Sequence, residues 1–267
     1  MKKSTLKNSP RFLAAIAALA LAGSSQAGTS VDPGWDLFTT AGGTTFMGVP
    51  FIGVPVGSYD FGGVIGVQPT GLTDTIVHRL TGASAPGGTI PTEMVALQLM
   101  SGVPFDPDGP GAAPFGTYFV TLQSARVPLE PPPVPTLGSI GITIGPEGAP
   151  HGSFGSFFDI FFDLRLGGVG GPIVLSSDLG LTSTGTLWEH AAPIGSLVIE
   201  GVNHDLAGPG DTSHDFFPIG GVIETKGPDF HIVQPTPSIV PEPVVCGQIV
   251  LGAALLGARR RSRGVRE

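Results

Sequence analysis

Eleven consecutive residues, 156–166, alternate strictly between two faces. Phe158, Ile160, Phe162, Leu164 and Leu166 fall on one, and Phe157, Asp159, Phe161, Asp163 and Arg165 on the other. A period of two predicts a half-buried β-strand. Weaker versions of the pattern predict strands at 59–67, 74–80, 92–101, 115–124, 140–144, 173–175, 179–184, 197–202, 216–219, 222–226 and 230–233. The tandem pentapeptides Phe-Met-Gly-Val-Pro (46–50) and Phe-Ile-Gly-Val-Pro (51–55) read as a sheet edge or extended chain, because proline lacks a ladder donor. The proline-dense stretch 127–135 predicts an extended crossing loop. Nothing between residues 28 and 239 carries a helical stripe. The expectation is an all-β fold: a β-sandwich-like body of many short antiparallel strands.

Two stretches are apolar without alternating, and both lie at chain ends. The first, 12–22, follows Lys2, Lys3, Lys7 and Arg11 and precedes Ser25-Gln26-Ala27, with small residues where a signal peptidase cuts. Residues 1–27 therefore read as a secretory signal peptide. No cysteine follows its apolar core, which excludes an N-terminal lipoprotein anchor.

The second, 244–258, sits between Val240-Pro241-Glu242-Pro243 and the cluster Arg259, Arg260, Arg261 and Arg263. Only Gln248 interrupts its apolar character, so it lacks the polar face of a core helix. Its 15 residues span roughly 22 Å as a helix, shorter than a ~30 Å hydrocarbon core, a gap that snorkelling arginines and local thinning absorb. Basic flanks resist translocation, so the arginines stay cytoplasmic and the proline-flanked glutamate emerges outside. This order of parts resembles the PEP-CTERM sorting signal of Gram-negative bacteria. The resemblance implies recognition and cleavage by an exosortase at residues 240–243 and transient anchoring in the inner membrane. Cys246 leaves open the related tripartite tails of myxobacteria, which carry a cysteine near this place. Residues 44–51 and 157–165 also look like segments of exported PEP-CTERM proteins, a likeness that implies no activity. The organisation expected is a signal peptide (1–27), an all-β extracellular domain (28–234), a linker (235–239) and a sorting signal (240–263) with its transmembrane segment at 244–258.

Removing both ends changes the charge. The body keeps 19 of the 21 acids, losing Glu242 and Glu267, but only four of 13 bases: Arg79, Arg126, Arg165 and Lys226. It stands near −15, which makes nucleic acid and anionic lipid surfaces poor partners and calcium a candidate one. The single cysteine lies in the tail, so the body has no disulfide to rely on. The 42 glycines and 27 prolines sit beside 16 phenylalanines and a mean hydropathy of +0.30, which makes them turn punctuation rather than a mark of disorder.

Candidate chemistry is thin. Asp159 and Asp163 stand four residues apart on one strand face, about 13 Å, too far for a glycosidase pair at ~5–9.5 Å. With Arg165 they read as a surface charge ladder. His204-Asp205 and His214-Asp215 repeat at a spacing of ten, with Asp211 between them and His190 and His231 nearby. Imidazoles and carboxylates suit zinc or iron, but no spacing here fixes a geometry. Asp106-Pro107-Asp108-Gly109 and Gly208-Pro209-Gly210-Asp211 are acidic turns of the kind calcium uses, without the EF-hand pattern. No Gly-x-Ser-x-Gly elbow occurs. The reading is a non-enzymatic, exported cell-surface or matrix protein with no cofactor. Its partners are signal peptidase and exosortase during export, then exopolysaccharide or other surface proteins. A secreted hydrolase using the histidine–aspartate cluster and a calcium- or glycan-binding module remain the alternatives.

Overall fold

The computed structural model describes residues 30–107, 113–126, 133–145 and 151–238. The stretches read as a signal peptide and a sorting signal, and most of the proline-dense stretch, lie outside these. Among the described residues no helix is long and apolar enough to cross a membrane.

Seventeen strands follow in order: β1 (Ser30–Val31), β2 (Gly34–Thr40), β3 (Thr45–Phe46), β4 (Val49–Gly53), β5 (Gly57–Asp60), β6 (Val67–Gly71), β7 (Thr75–Arg79), β8 (Ala83–Ser84), β9 (Gly87–Ser101), β10 (Tyr118–Leu122), β11 (Thr136–Ile144), β12 (Gly152–Leu166), β13 (Ile173–Thr182), β14 (Thr186–Glu189), β15 (Phe217–Pro218), β16 (Val222–Lys226) and β17 (Asp229–Pro235). All strand pairings are antiparallel, so the all-β, antiparallel expectation holds. Not all the strands are short, since β9 and β12 have 15 residues each.

Those two long strands organise the sheet. The pairing path runs β9–β7–β2–β17–β16–β13–β12 and returns to β9 through β10 and β11, so the sheet closes on itself. Closure leaves the ring without an open edge. It is narrowest between β13 and β16, which share one register pair, Thr182 with Thr225. The position between β9 and β12 is filled by two strands placed end to end. β11 registers against Gly87–Met94 of β9, and β10 against Gln98–Met100.

The alternation seen in the sequence becomes an inside and an outside. Phe158, Ile160, Phe162 and Leu164 of β12 join Ile140, Ile142 and Ile144 of β11 in the main core. On β9 the inward positions change parity, from Ile90, Thr92 and Met94 to Leu97, Leu99 and Ser101. A β-bulge causes this: Ile76 registers with Ala96 but Val77 with Met94, which leaves Val95 unopposed on β7. A second core, around Leu37, Ile76, Ala96 and Val202, lies on the outer side of β2, β7 and β9. The β5–β6 hairpin and residues 197–202 cover it.

Several expected elements differ. Residues 59–67 form no single strand; β5 ends at Asp60, and Gly62, Gly63 and Gly66 take positive φ (76°, 54° and 62°) in the turn into β6. Residues 173–175 and 179–184 merge into β13. Residues 197–202 form no strand but irregular chain and an isolated bridge at Glu200 leading into a turn, with Val202 N–H donating to the Ile199 carbonyl, although Val202 is fully buried. The pentapeptide pair becomes the hairpin β3–β4, turned by Met47 and Gly48 at φ 54° and 72°, the two positive values that suit a right-twisted ribbon. The chain is also still in the sheet where a linker was expected: Pro235 registers with Phe38, and Thr236 is buried.

Candidate functional site

The histidine–aspartate segment lies between β14 and β15 and folds against β2. Asp215 is its anchor. Its carboxylate is fully buried, pairs with His204 Nδ1 at 2.8 Å, and accepts from the backbone N–H groups of Asp205 and Leu206 at 3.3 Å each. Burial pushes the Asp215 carboxyl up, against the His204 and backbone hydrogen bonds. His190 donates from Nδ1 to the Asp215 carbonyl oxygen, since a carbonyl can only accept. Three of the expected residues thus meet at Asp215, together with His190.

His214 and Asp211 turn elsewhere. His214 Nδ1 lies 3.0 Å from Asp32 Oδ1 and 3.4 Å from Ser30 Oγ. Both partners address the same ring nitrogen, whereas a nucleophile–base–orienter relay needs the two nitrogens divided between them. Asp211 accepts from Ser213 N–H at 3.0 Å, and hydrogen bonds from the Ser213 side chain and then its backbone hold the exposed Asp211 carboxyl below the usual range. Asp106 follows the bridge residue Phe105 in the loop after β9. Asp108 lies outside the described residues, as do Val240, Pro241, Glu242, Pro243, Arg259, Arg260 and Arg261. Among the described residues, no three His, Cys, Asp or Glu side chains are grouped so that they could hold a metal ion.

The expected charge ladder on β12 is not a surface feature. Asp163 is buried, and Arg165 is 6% exposed. Asp163 Oδ2 accepts from Arg126 Nε at 2.8 Å, Oδ1 accepts from Ser176 Oγ at 2.8 Å, and Arg165 Nη2 stands 3.4 Å from Oδ2. Burial raises the Asp163 carboxyl, but these hydrogen bonds and the two guanidinium charges outweigh it and leave the group below its ordinary value.

No match to this chain was found among family models, curated proteins or solved structures.

Inside the ring lies a polar set of which the sequence singled out only His231. Glu224 accepts from Ser156 Oγ at 2.9 Å and pairs with His231 Nδ1 at 3.1 Å, and His231 is fully buried with Nε2 unpartnered. These groups, with Asp36 and Thr75, line a cavity of about 20 Å³, enough for one water molecule. Asp36 forms a buried ion pair with Arg79. Burial is the larger influence on Asp36 and lifts its carboxyl from 3.8 to about 6, against the Arg79 charge and hydrogen bond.

That shift has a pH consequence. Between the ordinary and the folded value the native state keeps a proton that the unfolded chain has released. The stabilisation is therefore full below 3.8 and is lost as pH rises through about 6. At ~1.4 kcal/mol per unit it amounts to about 3 kcal/mol. Urea unfolding of wild type and Asp36→Asn, each at about pH 4 and about pH 7, should show wild type gaining on the variant as pH falls. Parallel changes in the two proteins would place Asp36 at its ordinary value.

Proposed function

We propose that this chain is a non-enzymatic, exported cell-surface or extracellular-matrix protein, delivered by a signal peptide and released from the inner membrane by exosortase cleavage. One observation carries the reading: Val240-Pro241-Glu242-Pro243, an apolar run over 244–258 and the arginines from Arg259 stand in that order. Two prolines deny the motif helix and hold Glu242 as an isolated charge at the membrane edge. The body supports the reading in kind. It is an all-β unit without cysteine, and four of its acids are held in internal pairs: Asp36 with Arg79, Asp163 with Arg126, Asp215 with His204 and Glu224 with His231. Exopolysaccharide and other surface proteins are the partners proposed for it outside the cell.

Glu242→Ala decides the matter in a host carrying the matching exosortase. The variant should accumulate as an uncleaved, membrane-retained precursor while wild type is released. Release of the variant at the wild-type rate would remove the sorting signal, and with it the reading.

A further inference from the structure

On the outer side of the ring, β2, β7 and β9 bring three side chains into one row. Trp35 registers with His78, and His78 with Glu93. All three are half-buried. The Trp35 and His78 rings stack, 3.8 Å between centres and 8° between planes. The β5–β6 hairpin folds onto this row, setting Phe61 edge-on to Trp35 at 5.3 Å and Tyr59 beside it at 5.8 Å. Residues distant in the chain thus form an aromatic step with a carboxylate at its end.

The polar groups of this step are unused. Among the described residues the Trp35 indole N–H, the Tyr59 hydroxyl, the His78 ring nitrogens and the Glu93 carboxylate make no hydrogen bond, and Glu93 enters no ion pair. Burial, and after it the charges of Glu93 and Asp60, push the Tyr59 hydroxyl up, so both carboxylates act on that ring. Burial also lowers His78, against the Glu93 charge and with that of Arg79. Its imidazole is therefore neutral at neutral pH and offers one donor and one acceptor.

We propose that this step binds a saccharide unit carrying a protonated amine, with Glu93 taking the ammonium and Trp35, Tyr59 and His78 the sugar ring and its hydroxyls. Each sugar hydroxyl both donates and accepts, which suits a mixed set of free donors and acceptors. Tyrosine and tryptophan pair an apolar body with a polar tip, and so meet the C–H side of a sugar ring as well as its hydroxyls. Charge selects within the class. Glu93 lacks a counter-charge, and a body near −15 repels acidic sugars and draws cationic ones. The inference gives a chemistry to the polysaccharide proposed above, and it rests on that reading only for the exposure of the body outside the cell.

The test uses the full chain in a zwitterionic, sugar-free detergent at neutral pH, with three probes: the glucosamine trimer, its fully N-acetylated form, and trilysine. Binding is read from tryptophan fluorescence, because Trp188 is fully buried and Trp35 is the other of the chain's two tryptophans. The glucosamine trimer should change the emission and bind about tenfold more tightly than the acetylated form, the discrimination expected of one charge-assisted contact. Trilysine has the charge without the sugar ring and should bind more weakly than the glucosamine trimer by about tenfold. Glu93→Gln should bring the two sugars to equal affinity. Equal binding of both sugars by wild type, trilysine binding as tightly as the glucosamine trimer, an unchanged emission, or an undiminished preference in Glu93→Gln would each overturn the proposal. The first three need no variant and decide even if Glu93→Gln fails to fold. None of these readouts depends on cleavage, so a failed sorting signal and a failed sugar site are told apart.

Discussion

Arg79→Ala is expected to cost about 3–5 kcal/mol, a large part of the ~5–15 kcal/mol that holds a typical domain folded. Arg79 is fully buried; its Nε stands 3.1 and 3.2 Å from the two oxygens of Asp36, itself 3% exposed. Nη1 donates to the Asp32 carbonyl, and the guanidinium lies 5.2 Å from the centre of the Phe216 ring. Truncation removes all of this and leaves Asp36 inside the ring without a counter-charge. The loss comes mainly from that stranded carboxylate, so it should shrink on acidification, when Asp36 takes up a proton. Replacing both partners, Arg79→Met with Asp36→Leu, should cost far less than the single change, because no buried charge is left behind. Urea unfolding at neutral pH measures all three. A loss below about 1 kcal/mol for Arg79→Ala would mean that water reaches Asp36.

The same pair shows why part of the fold was hidden in the sequence. β12 was legible because its inner face is Phe158, Ile160, Phe162 and Leu164 and its outer face begins with polar or part-exposed groups. β2 inverts that logic. Its inward positions include the charged Asp36, while outward Leu37 is buried under the segment holding Val202. A strand covered on both faces shows no alternation to read. Asp163 and Arg165 failed for a related reason. They point outward as the period requires, but Arg126, arriving from 37 residues upstream, and Gly171 of the following turn enclose them.

The candidate site divides along the same line. His204 and Asp215 lie eleven residues apart, and a local count of histidines and aspartates could pick them out. His214 finds Asp32 from the other end of the body, and His231 finds Glu224 across the β16–β17 hairpin. The first of these pairings exists only because the ring closes, which brings the segment after β14 onto the start of β2. The break between β10 and β11 beside Val95 is further still from the sequence, since it arises where two strands share one position on β9 and do not meet. The prolines of 127–135 separate β10 from β11 along the sequence, and that was the one available signal.

Gly53→Ala is expected to destabilise the fold by about 2–4 kcal/mol, through a carboxylate that cannot move aside. A Cβ at position 53 would lie 1.8 Å from Asp74 Oδ2 and 2.6 Å from its Cγ. A free aspartate would rotate away, but this one is clamped. Oδ2 accepts from Thr40 N–H at 2.7 Å, and Oδ1 accepts from the hydroxyls of Thr40 at 2.7 Å and Thr75 at 2.8 Å. The Asp74 backbone is fixed as well, its N–H donating to the Phe38 carbonyl at 3.0 Å and its carbonyl accepting from Gln98 N–H at 2.9 Å. β2, β4, β7 and β9 therefore come together around one residue. Asp74→Ala should itself cost about 3 kcal/mol, because the part-buried Thr40 N–H and the Thr40 and Thr75 hydroxyls all lose their acceptor. It should also remove the obstacle to a methyl group at position 53. The double variant Gly53→Ala with Asp74→Ala is thus expected to be no less stable than Asp74→Ala alone, a coupling that additive effects cannot produce. Thermal or urea unfolding of the three variants provides the cycle. If the two losses simply add, the Asp74 carboxylate is not the reason that position 53 is glycine.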